Sequence, residues 1–111
     1  MDQDKIYLLH SRIRWDTILN NNGENMKAKH TIEWKGKKYK IPFDLNLEID
    51  KGKEITINNR FTGQAAIVPW FAAAVYDLIM GCEMFQDWKT HRQALDWFSN
   101  NFTDAYYILL D

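Results

Sequence analysis

Residues 39 to 49 read Tyr-Lys-Ile-Pro-Phe-Asp-Leu-Asn-Leu-Glu-Ile, and every second one is apolar: Tyr39, Ile41, Phe43, Leu45, Leu47 and Ile49. Between them stand Lys40, Pro42, Asp44, Asn46 and Glu48. Successive side chains of a strand point to opposite faces, so this pattern sets six apolar groups against a polar face. It predicts one long strand of an antiparallel sheet, covered on one side only. Pro42 has no N–H to give a neighbour and suits an edge, a bulge or a bend partway along.

Working outward, residues 29 to 34 also alternate, with Ile32 and Trp34 on one side. Lys35-Gly36 then links the two runs as a tight hairpin. Downstream, Asp50-Lys51-Gly52-Lys53 reads as a second turn, and residues 54 to 61 alternate again through Ile55 and Ile57. The expectation is a three-stranded antiparallel meander over residues 29 to 61, ended by Thr62-Gly63.

The cover for its apolar face lies further on. Residues 65 to 76 are the most apolar run, read as buried helix, with Pro69 in the first helical turn. From Trp70 to Phe85, Phe71, Val75, Leu78, Cys82 and Phe85 form one stripe; Ala73, Ala74, Asp77 and Gly81 form a small-residue side. Asp87 is placed to cap a next helix lined by Trp88, His91, Leu95 and Phe98. Ser99-Asn100-Asn101 breaks it, and Thr103-Asp104 introduces a last short helix over residues 105 to 110. At the other end, residues 5 to 19 are expected to be helical, with Asn20-Asn21-Asn22-Gly23 as the stop. Together these readings give one α+β domain spanning residues 1 to 111, a length that supports a single core.

Composition narrows the function. The net charge is −1, so no global field draws the chain to nucleic acid or membrane. The charges are unevenly placed. Residues 27 to 43 carry Lys27, Lys29, Lys35, Lys37, Lys38 and Lys40 against Glu33. Residues 61 to 111 carry six carboxylates against Lys89 and Arg92. The run at 65 to 76 is too short to span a bilayer and the N-terminus has no secretory leader, so no membrane role is expected. Cys82 is the single cysteine, which excludes disulfides and Cys-based zinc sites within one chain.

No catalytic constellation emerges. His10, His30 and His91 lie far apart, in no metal-binding spacing. Cys82, on an apolar stripe beside Asp77 and Glu83, lacks the electropositive setting a nucleophile needs. Asp44, Asn46, Glu48 and Asp50 share a face, but two-residue spacing does not converge on one ion. Ser11 and Ser99 have no nucleophile-elbow context, and no phosphate loop occurs. No cofactor, metal or catalytic residue is expected. The best polar feature is the hairpin: Lys35, Lys37, Lys38 and Lys40 around a turn, with Trp34 and Tyr39 beside them. It suits three roles: protection of a sheet edge, holding phosphates and stacking a base, or steering toward an acidic protein.

Val75-Tyr76-Asp77-Leu78-Ile79-Met80-Gly81-Cys82-Glu83, then Asp96-Trp97-Phe98, then the ending Ala105-Tyr106-Tyr107-Ile108-Leu109-Leu110-Asp111, resemble the C-terminal region of small uncharacterised accessory proteins of tailed bacteriophages. The shared pattern is YD-x-IMG-x-E … DWF … LLD, and the resemblance extends over residues 30 to 111. It carries no activity. It implies a viral product in the cytoplasm of an infected bacterium. On that reading the expected role is non-enzymatic: binding and inhibiting or modulating a host bacterial protein or protein–nucleic-acid complex. Direct nucleic-acid binding through the lysine hairpin is the first alternative. A self-associating virion or assembly component is the second.

Overall fold

The computed structural model describes Ile13 and residues 29 to 110 of the 111-residue chain. Strands β1 (His30–Trp34) and β2 (Lys37–Ile41) form an antiparallel hairpin, with Ile32 opposite Tyr39 and Glu33 opposite Lys38. Lys35 and Gly36 both take positive φ, 51° and 80°. That pair makes the two-residue turn whose twist matches the strands, and glycine adopts it without strain. The ladder stops at Ile41, so residues 39 to 49 are not one strand. Pro42 offers no N–H to continue it; Leu45 makes an isolated antiparallel bridge to Ile13, and residues 47 to 52 turn. Tyr39, Ile41, Phe43 and Leu45 are nonetheless all buried, and Leu47 is half-buried against the core. The alternation recorded which side chains face inward, and an extended chain satisfies that with or without a partner strand.

Strand β3 (Glu54–Asn58) does not join the hairpin. It pairs with β4 (Ala65–Pro69), giving two two-stranded antiparallel sheets in place of the expected meander. Residues 65 to 69, read as helix from their apolar content, are strand. Ile67 and Val68 are β-branched, and the residue before a proline is biased to extended backbone. The register places Ile55 opposite Val68 and Thr56 opposite Ile67. Trp70 N donates to Lys53 O and Asn59 N to Gln64 O. The hydrogen-bonded pairs in step with these are Ile55/Val68 and Ile57/Ala66. The alternate residues Ala65 and Ile67 therefore turn their backbone groups away from β3. Pro69 falls in the same alternate set, where its missing N–H removes no ladder bond.

Helix α1 (Trp70–Phe85) starts directly from β4, with Pro69 as its N-cap. Most of it is buried, including Phe71, Val75, Leu78, Ile79 and Cys82. It ends at Gln86, whose φ of 58° turns the chain, and Asp87 N donates to Cys82 O. Asp87 caps α2 (Trp88–Asn101) by accepting from Thr90 N. Phe102, rather than the preceding polar residues, separates α2 from α3 (Thr103–Leu109). The helix expected over residues 5 to 19 lies outside the described residues except at Ile13. Among the described residues, no helix is long and apolar enough to cross a membrane.

The core is a lattice of rings. Trp34 meets Trp70 edge-on at 5.4 Å, Trp70 meets Phe71 at 5.0 Å, and Tyr39 stacks on Phe102 at 5.2 Å. Phe71 also contacts Tyr39 and Phe102, and Trp97 and Phe98 complete the group around Phe102. Hairpin, central helix and C-terminal helices thus share one aromatic centre, each edge-on or offset pair adding to the area buried. The Trp97 indole N–H donates to Lys40 O at 2.7 Å, closing the outer edge of β2 against α2.

Candidate functional site

The lysine hairpin presents its charges but withholds its rings. Lys35, Lys37, Lys38 and Lys40 are exposed. Tyr39 is 8% exposed and packed between Phe71 and Phe102; Trp34 is half-buried against Trp70. Neither is free to stack on a base. Lys35 lies over the Trp34 ring and 3.4 Å from the Glu54 carboxylate, and Lys37 lies over Tyr39. Lys38 stands opposite Glu33 across the hairpin. The structure thus separates the six residues expected to form a partner site into four surface cations and two core-facing rings.

The exposed rings are elsewhere. Phe61 is 83% exposed, Trp88 58% and Phe85 43%, with Met84 alongside. Phe61 sits at the tip of the β3–β4 turn, Met84 and Phe85 in the last turn of α1, and Trp88 at the start of α2. Polar contacts join Phe61 to Trp88. Arg60 lies 5.0 Å over the Phe61 ring and 3.9 Å from Glu83 Oε2. Glu83 Oε1 is 3.9 Å from His91 Nε2, and the His91 ring meets Trp88 edge-on. The result is one corner in which the Phe61 and Trp88 rings flank a small polar network.

Asn59 makes the corner rigid. Its side chain is the buried polar one of the described core. Oδ1 accepts from Phe61 N at 2.7 Å and Thr62 N at 3.1 Å; Nδ2 donates to Ile108 O at 2.8 Å. Its backbone pairs with Gln64 and accepts from Gly63 N, where φ is +78°. One amide thereby ties the turn both to itself and to the end of α3. Phe61 is held out to solvent on an ordered frame, although burying such a ring is worth about 2 kcal/mol. Sequence reading misses this corner because the alternation places Phe61 at the end of a sheet strand. The usable signal was Asn59 followed by Gly63, which marks a turn with its own side-chain support.

Among the described residues, no group of three or more His, Cys, Asp or Glu is placed to hold a metal ion. Asn46 Oδ1 accepts from Glu48 N in a local turn, so that acidic row does not lie along a flat strand. Burial, opposed by Arg60, raises the Tyr76 hydroxyl above its ordinary value. Cys82 is buried mid-helix, and burial, with Asp87 adding to it, pushes its thiol up to about 12. At pH 8 the thiolate is then about one part in ten thousand, by the tenfold-per-unit rule. Alkylation by iodoacetamide at pH 8 is expected to follow unfolding of the chain, measured by mass spectrometry across a urea series. Labelling of the native protein at the rate of a free thiol would contradict this placement.

No family model, curated protein or solved structure matches the chain.

Proposed function

We propose that this protein is a non-enzymatic binding module that docks on another protein through the corner formed by Phe61 and Trp88. The observation that carries this reading is an 83% exposed phenylalanine on a turn pinned by a buried amide. Interface energy concentrates in a few aromatic and arginine anchors, and an anchor already ordered loses little entropy on binding. Phe61 with Arg60 above it, and Trp88 across the Glu83–His91 pair, have that composition. The lysine hairpin contributes long-range attraction to an acidic partner rather than contacts. The resemblance to phage accessory proteins makes a host bacterial protein or protein–nucleic-acid complex the natural target, met in the cytoplasm of the infected cell. Surface occlusion is then the mode of inhibition.

The test is paired capture from bacterial lysate by the immobilised wild type and by the Phe61→Ser, Trp88→Ser double variant. The wild type is expected to retain a discrete partner and the variant at least about tenfold less of it, as loss of two anchors implies. Both side chains are exposed, so the two proteins are expected to unfold at the same urea midpoint. Equal retention by the two overturns the assignment of this corner.

A further inference from the structure

The outward edge of β4, beside which α3 packs, carries no charge. Ala65 and Ile67 direct their backbone N–H and C=O groups away from β3. Among the described residues no hydrogen bond reaches them. Two of the other edges are managed. On β2, Lys40 O is taken by the Trp97 indole, and Lys38 and Lys40 add charge. On β3, Glu54 is exposed and paired with Lys35. The β4 sequence, Ala-Ala-Ile-Val-Pro, has no charge at all, and Ile67 is 65% exposed. An uncharged strand with free backbone groups is a template for another strand.

A cleft of about 390 Å³ runs beside this edge, between Ile67 and Val68 on one side and residues 101 to 105 on the other. The polar groups of its far wall are partly committed. Asn101 Nδ2 donates to Trp97 O and Thr103 Oγ1 to Ser99 O. Asp104, in the first turn of α3, keeps an exposed carboxylate on that wall.

We propose that this edge is a strand-addition site for an extended peptide segment of a protein partner. The segment is apolar at alternate positions and carries a basic side chain beside Asp104. Backbone pairing with Ala65 and Ile67 supplies the affinity, and the side-chain positions supply the choice of sequence. Ile67 receives one apolar side chain of the added strand. A second copy of this chain fits less well, because its own β4, Ala-Ala-Ile-Val-Pro, brings no basic side chain to Asp104. Its residues, Ala65, Ile67 and Asp104, are not those of the Phe61 corner, so either assignment can fail without the other.

The probe is a set of fluorescein-labelled, N-acetylated, C-amidated heptapeptides with valine at alternate positions and either lysine or glutamate between them. Fluorescence anisotropy with the full chain is expected to show saturable binding of the lysine peptides. N-methylation of the two valine amides that pair with the edge is expected to weaken it at least tenfold. Asp104→Lys is expected to move the preference toward the glutamate peptides by about three- to fivefold, the scale of an exposed ion pair. Ile67→Lys, with the folded state confirmed by an unchanged urea midpoint, is expected to abolish binding. Failure of every peptide to bind overturns the proposal. So does binding indifferent to N-methylation, or sedimentation as a dimer that Ile67→Lys dissolves.

Discussion

Phe71→Ala is expected to remove about 4 kcal/mol of stability, the upper range for truncating a buried ring. The side chain is fully buried and touches the hairpin, its own helix and the α2–α3 junction at once, through Tyr39 at 5.1 Å, Trp70 at 5.0 Å and Phe102 at 5.9 Å. Three segments of the chain meet on that ring, so none can relax inward without uncovering another. A domain of this size has about 5–15 kcal/mol in total, so the variant is expected to be partly unfolded at 37 °C. Phe61→Ala is the matched control. It is 83% exposed, and is expected to cost less than about 1 kcal/mol. Urea unfolding followed by tryptophan fluorescence separates the two. Equal losses would mean that the ring lattice is not the centre of the fold.

Asn59→Ala is expected to cost about 2–3 kcal/mol, although the residue contributes almost no apolar area. Its amide serves two donors, Phe61 N and Thr62 N, and one acceptor, Ile108 O. Deleting it removes the partner of three part-buried bonds, and a group left unsatisfied costs more than the bond it made. Asn59→Asp separates the two halves of the role. The carboxylate still accepts from the turn but faces Ile108 O without a proton to donate, so the variant is expected to stay destabilised at pH 7. Its deficit relative to wild type is expected to shrink as pH falls and the protonated acid regains a donor. A pH-independent deficit would show that the tie to α3 contributes nothing. In both variants the Phe61 turn is expected to loosen, read as faster hydrogen exchange at Phe61 and Thr62.

The alternation through residues 39 to 45, the helix from Trp70 to Phe85 and the Asp87 cap were legible in the amino-acid order. They follow from local causes: side-chain periodicity, a proline ahead of a helix, a carboxylate able to accept from a helical N–H. Which strands pair was not legible. Pairing of β3 with β4 depends on the 59–64 turn closing on itself, and the run before Pro69 carries as much apolar character in a strand as in a helix. Nor does the order of residues distinguish a ring that packs from one that projects. Tyr39 and Phe61 look alike in the sequence; one is buried because Phe71 and Phe102 arrive from distant segments, and the other is exposed because Asn59 holds its turn away from them. The sequence by itself determined the α+β class and the inward faces, since those are periodic properties of short stretches. The tertiary structure alone decided the sheet partners and the exposed corner, since both depend on contacts between residues far apart in the chain.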